Sequence, residues 1–229
     1  KEVMTATGYQ HSAYLADDGT VWCWGENQYG QLGNNSTTDS NVPIQVRTGA
    51  ASSQLLTNVI AIAAGYEHTF ALRADGTVWS WGRNEIWGAL GLGSTASSFL
   101  FANQISGLSG IKAIAAGGYA GYALSAYGSM HAWGYNGLGS VGDGTVISRI
   151  SPVTLSITNI REISAGLYHT VAVLTNGTVN SWGHDSSGQL GNGVPRGGDG
   201  ARQCPACRLR QQPYPGYPSE WTDRGVGAE

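Results

Sequence analysis

Apolar and polar residues alternate with a period of two through most of the chain, and glycines break the alternation every ten to fifteen residues or so. That pattern predicts short, half-buried strands and argues against helices. Four stretches align without a gap: "TGYQHSAYLADDGTVWCWG", "AGYEHTFALRADGTVWSWG", "AGGYAGYALSAYGSMHAWG" and "AGLYHTVAVLTNGTVNSWG". In each, a glycine (Gly8, Gly65, Gly117, Gly166) precedes the tryptophan of a Trp-Gly pair (Trp24, Trp81, Trp133, Trp182) by 16 residues, and the tryptophans lie 57, 52 and 49 residues apart. A second module follows each pair: "ENQYGQLG", "RNEIWGALG", "YNGLGSVG" and "HDSSGQLG", the second being one residue longer.

Each copy reads as a β-hairpin. Asp18-Gly19, Asp75-Gly76 and Asn176-Gly177 suit a two-residue type I′ turn, with Tyr127-Gly128 as the weak copy. That turn predicts Ala71 opposite Ser80 and Phe70 opposite Trp81, a thin face backed by a thick one. The runs "VIAIAAG", "IKAIAAG" and "IREISAG" supply a strand before each hairpin, and "VPIQV", "LFANQI" and "SPVTLS" a fourth after it. Four strands per roughly 50 residues is the size of a propeller blade, and a blade hides its two faces only by stacking on its neighbours. The fold class is therefore all-β, a β-propeller of four-stranded blades. The repeats are expected at about 1–57, 58–109, 110–158 and 159–193, with 194–229 a Pro/Gly/Arg-rich irregular tail.

At these positions the chain resembles the regulator-of-chromosome-condensation (RCC) repeat family, carried by Gly65, His68, Leu72, Asp75, Gly76, Trp81, Gly82, Asn84, Gly88, Leu90 and Gly91. The third copy departs from it, with Ala120 where the others have His11, His68 and His169, and Tyr127 where they have an acid or amide. The resemblance implies seven-bladed rings, so about four repeats, in a chain opening on Lys1, are expected to form part of a larger ring. Uncovered blade edges would invite self-association. It also implies guanine nucleotide exchange on small GTPases, nucleosome binding, general interaction roles or, in a related group, enzyme inhibition.

Composition narrows the partners. Only 12% of residues are charged, against about 25% in typical globular proteins, and the net charge is -3. No counterion-release drive towards nucleic acid is expected, and no apolar run reaches the ~20 residues of a membrane-spanning helix. Low charge and Asn/Ser/Thr-rich loops fit a secreted or cell-surface protein somewhat better than a cytoplasmic or nuclear one.

Candidate chemistry dissolves into scaffold. His11, His68 and His169 fall on separate blades and cannot converge on one metal, so they read as buried structural histidines. Gly65, Asp75, Gly76, Trp81 and Gly82 read likewise as the repeat's structural motif. Cys204 and Cys207 supply two of the four ligands a structural zinc needs, and Cys23 aligns with small residues as a core filler. No nucleophile, base and oxyanion donors assemble, so no catalytic residue, metal or cofactor is assigned.

The loops after each Trp-Gly vary where the scaffold does not, and they give a candidate partner-binding rim: Gln28, Tyr29, Glu85, Ile86, Trp87, Leu138, Ser186 and Ser187. Trp87, beside the inserted residue, is either an exposed interface anchor or a side chain packed on its own blade. The sequence thus points to a non-catalytic scaffold for a protein partner, with exchange-factor-like regulation of a small GTPase as the alternative and glycan binding or enzyme inhibition behind both.

Overall fold

The computed structural model describes residues 3–193 and 202–207, which form four sheets of four antiparallel strands. The first blade holds β1 (Met4–Thr7), β2 (His11–Leu15), β3 (Val21–Gly25) and β4 (Ser40–Gln45). The second holds β5 (Val59–Ala64), β6 (His68–Arg73), β7 (Val78–Arg83) and β8 (Ser98–Gln104). The third holds β9 (Ile111–Ala116), β10 (Ala120–Ser125), β11 (Met130–Gly134) and β12 (Arg149–Thr154). The fourth holds β13 (Ile160–Ala165), β14 (His169–Leu174), β15 (Val179–Gly183) and β16 (Arg202–Cys207). Strands follow chain order in every sheet, and the first strands of successive blades lie side by side.

β16 falls inside the segment expected to be irregular. Its main chain pairs with β15, Cys204 opposite Ser181 and Cys207 opposite Val179, so it takes the fourth-strand place that "VPIQV" and its counterparts take earlier. The rest of the expected tail, 194–201 and 208–229, lies outside the described residues.

The hairpins correct the type I′ reading. Gly76 N–H bonds Arg73 O at 2.9 Å and Arg73 N–H bonds Thr77 O at 2.9 Å, while Gly76 has φ +78° and Asp75 is not in the left-handed region. This is a three-residue loop, a type I turn closed by a glycine bulge, and it recurs at Gly19, Gly128 and Gly177. One extra loop residue shifts the pairing by one, so Phe70 faces Ser80 and Thr69 faces Trp81. Large and small residues therefore meet on both faces, and the division into thin and thick faces is overturned. Asp75 Oδ1 accepts from Thr77 N (3.0 Å) and Oγ1 (2.6 Å), and Thr77 Oγ1 accepts from Trp79 Nε1 (3.1 Å), which ties the turn to the strand it starts.

Each core cluster draws on two adjacent blades. Leu15, Val21, Cys23 and Leu32 pack with Ile62, Ala71 and Trp81; Phe70, Leu72 and Val78 with Ala123 and Trp133; Tyr122, Met130 and Val141 with Ala172 and Trp182. Burying ~200 Å² of indole at ~25 cal/mol/Å² is worth about 5 kcal/mol per tryptophan. Trp81, Trp133 and Trp182 are buried, whereas Trp24 of the first blade is only half-buried.

The histidines serve the same blade junctions. His11 Nε2 meets Thr69 Oγ1 of the second blade at 2.9 Å, and His68 is hydrogen-bonded to the Ala120 backbone of the third. Burial lowers the His11 pKa to about 4 and that of His68 to about 3, so both are neutral. Where the third copy has Ala120, Tyr122 substitutes: its hydroxyl donates to Ser140 O (2.7 Å) and accepts from Thr170 of the fourth blade (2.8 Å).

Candidate interaction surface

The loops after each Trp-Gly are held by one buried side chain apiece. Asn84 Oδ1 accepts from Leu90 N (3.0 Å) while its Nδ2 donates to Ser94 O (2.8 Å) and Ala96 O (2.9 Å). Asn27 and Asn136 make the matching bonds, and in the fourth blade Asp185 accepts from Leu190 N and Asn192 Nδ2. In three blades the turn closes from the glycine back to that residue, as in Gly30 N–H to Asn27 O at 2.9 Å. In the second it closes from Gly88 to Glu85 (3.1 Å), and Glu85, at φ +55°, absorbs the inserted residue. Ile86 is thereby 70% exposed, and the Trp87 ring meets the third blade.

Two positions per blade form the rest of this rim, joined by one repeated main-chain bond. Glu26 N–H bonds Gln10 O, Arg83 bonds Glu67, Tyr135 bonds Tyr119 and His184 bonds Tyr168, all at 2.8 to 2.9 Å. The backbone is constant and the chemistry is not. It changes from Gln10 and Glu26, through the Glu67–Arg83 ion pair, to paired tyrosines and then Tyr168 beside His184.

At the second blade Arg83 pairs with Glu67 and with Glu85 (2.5 Å), and its Cζ lies 4.5 Å from the Tyr29 ring centroid. Burial opposes its charge, but the two carboxylates outweigh burial and raise the guanidinium pKa. At the third and fourth blades, Trp87, Tyr119, Tyr168 and Tyr135 form a closed circuit of rings. Successive centroids are 5.7, 6.1, 5.8 and 5.4 Å apart, and the four side chains line a cavity of about 180 Å³. Beside it, Tyr9 and Tyr66 stack at 4.2 Å over a second cavity of about 360 Å³ where the first strands of the blades converge.

Of the residues expected on the rim, Tyr29, Glu85 and Trp87 belong to this arrangement, and Ile86 stands exposed beside it. Gln28 and Ser187 are exposed, and Leu138 and Ser186 half-buried, on their own loops outside the ring circuit. Trp87 is half-buried and packs on the next blade, an arrangement that neither of its two expected readings contained. Sequence reasoning missed Tyr119, Tyr135 and Tyr168. A tyrosine does occur between Ala/Thr-Gly and the following strand in all four copies, but it shifts by one place, from Tyr9 and Tyr66 to Tyr119 and Tyr168. Among the described residues, no three His, Cys, Asp or Glu side chains are grouped to hold a metal.

Residues 1–220 match the RCC1-like domain. The chain is 31% identical over 152 residues to the ultraviolet-B receptor UVR8 of Arabidopsis thaliana, a match covering 66% of this chain and 33% of the receptor. It is 32% identical over 146 residues to the human E3 ubiquitin-protein ligase HERC2, covering 63% of this chain and 3% of the ligase. The structure of Prp20p from Saccharomyces cerevisiae superposes with a TM-score of 0.72 at 26% identity, over 87% of this chain and 49% of that one. The chain thus spans a third or less of the length of these curated relatives and about half of the solved propeller.

Proposed function

The chain belongs to the RCC1-like domain family, and from that premise we propose that it is a non-catalytic propeller scaffold that binds a protein partner through the rim carrying Tyr29, Arg83, Ile86 and Trp87. One observation carries this reading. The rim positions share a single backbone bond across four blades while their side chains run from polar through ionic to aromatic. A rigid frame that presents different chemistry at equivalent points suits recognition, and half-buried aromatic rings beside an ion-paired arginine are the residue types that anchor interfaces. The relatives support it: Prp20p was characterised for its binding to Gsp1p and histones, and yeast RCC1 (Prp20) was crystallised with Kap60.

A photo-cross-linking residue at Ile86, compared with one at Val42 on the outer strand β4, tests the assignment. Cross-linked protein at position 86 and none at 42 is the expected result. Equal capture at both positions would overturn the rim. Exchange-factor-like regulation, the second reading, draws on the similarity to Prp20p. It requires accelerated release of labelled GDP from a small GTPase, and unchanged release across a panel of GTPases removes it.

A further inference from the structure

We propose that the half-open cavity lined by Trp87, Tyr119, Tyr135 and Tyr168 is an aromatic cage for a quaternary ammonium group, the head of a trimethylated lysine on the protein partner. The inference rests on the protein-binding reading and adds the chemistry recognised. A cavity of about 180 Å³ holds more than the ~30 Å³ share of a water molecule and less than the 300–1,000 Å³ typical of whole small-molecule sites. It suits one compact group at the end of a chain. The four sides of the ring circuit, 5.4 to 6.1 Å, place the centre of a square about 4 Å from each centroid, within the ~6 Å range of a cation–ring attraction; Trp87 and Tyr135 are steeply inclined to their neighbours (63° to 71°), and Tyr119 and Tyr168 run near parallel (25°), so rings of both orientations line the space.

The repeat supplies its own comparison. Tyr29 and Trp87 each precede the glycine of the second module, and Arg83 and Tyr135 each follow a Trp-Gly pair. At the junction of the first and second blades, the ring of Tyr29 receives the Arg83 guanidinium at 4.5 Å. At the next junction the arginine position is Tyr135, so the same geometry gathers rings and places no guanidinium on Trp87. A sugar is the competing guest, since it would stack on the rings and bond the three tyrosine hydroxyls, and methyl glucoside is therefore the decisive control.

Proton NMR titration of the full 229-residue chain with N-acetyl-trimethyllysine, N-acetyl-lysine, choline, methyl glucoside and the neutral isostere 3,3-dimethylbutanol tests the cage. We expect upfield-shifted trimethylammonium signals from the ring currents, and trimethyllysine to bind about tenfold or more tighter than lysine or the neutral isostere. Trp87→Leu and Tyr135→Leu should each weaken that binding by about tenfold or more with little change in melting temperature, and two variants guard against one that fails to fold. Equal binding of the isostere or the glucoside, tighter binding of choline than of trimethyllysine, or unchanged binding in both variants would overturn the cage. Such a result with cross-linking at Ile86 intact sinks the cage alone, and loss of cross-linking at Ile86 in the unmodified protein sinks the protein-binding reading beneath it.

Discussion

Trp81 of the second blade donates its indole N–H to the main-chain carbonyl of Gln31 in the first, at 3.0 Å. Trp133 does the same to Ala89 at 3.1 Å and Trp182 to Ser140 at 2.9 Å, so these three tryptophans each clamp the loop of the preceding blade. The loop's last glycine is required there, because a Cβ on Gly33, Gly91 or Gly142 would fall within 3 Å of the incoming indole. A Cβ on Gly191 would meet nothing within 4 Å among the described residues, and Trp24 is only half-buried, so among these residues the fourth-blade loop and the first-blade tryptophan do not form this clamp.

Trp81→Phe keeps an aromatic ring but strands the Gln31 carbonyl and leaves a gap, at a cost of about 2 to 3 kcal/mol. Trp24→Phe, with no buried clamp to lose, should cost under ~1 kcal/mol. Urea midpoints of the two variants check this, and equal losses would contradict the clamp.

Acid should destabilise the fold well before its carboxylates titrate. His11 and His68 have folded pKa values of about 4 and 3, against ~6.5 unfolded, so between those limits the unfolded chain binds more protons than the native one. Stability is complete above about pH 6.5 and falls as pH drops, by roughly 1 to 2 kcal/mol per histidine between pH 6.5 and 5. Urea midpoints measured across that range should slope downward towards acid, and a His11→Gln, His68→Gln double variant should flatten the slope.

The propeller was legible because every blade repeats a glycine 16 residues before its Trp-Gly pair and a glycine-closed second module after it, a constraint visible as repetition. The strand register was not, since Asp-Gly serves a type I′ turn and a type I turn with a bulge equally well, and the two differ by one loop residue. The ring circuit stayed hidden because its members come from three different places in the repeat: Tyr119 and Tyr168 before the second strand of their blades, Tyr135 after a Trp-Gly pair and Trp87 in the second module. β16 went unseen because "RQCPAC" lacks alternation and its strand is defined by main-chain pairing with β15.

The bulge makes a distinct demand on two equivalent glycines. Gly177 is left-handed (φ +82°) and a Cβ there would meet nothing within 4 Å among the described residues, so Gly177→Ala should cost about 1 kcal/mol for backbone conformation alone. Gly76 has φ +78°, and a Cβ there would meet Gly110 N at 3.0 Å. Gly76→Ala should therefore cost about 1 kcal/mol more than Gly177→Ala. Thermal unfolding of the two variants side by side gives the difference.

Ala120 and Tyr122 together replace the histidine that joins blades elsewhere, and the pair should therefore be energetically coupled. In the first blade His11 bonds Thr69 while Ala13, two residues on, leaves room for the imidazole. In the third, the Tyr122 ring approaches within 3.6 Å of the point where a Gly117 Cβ would stand, the place that the histidine rings take beside Gly8, Gly65 and Gly166, and its hydroxyl serves Thr170. Tyr122→Ala alone leaves a cavity and an unlinked Thr170, a loss of about 4 kcal/mol. Ala120→His alone crowds Tyr122 and should cost about 1 to 3 kcal/mol. The double variant recreates the first-blade arrangement, so its loss should fall short of the sum of the two by about 2 kcal/mol. Urea unfolding of the full double-mutant cycle measures that difference, and strictly additive losses would show that tyrosine and histidine are not alternative solutions to one blade junction.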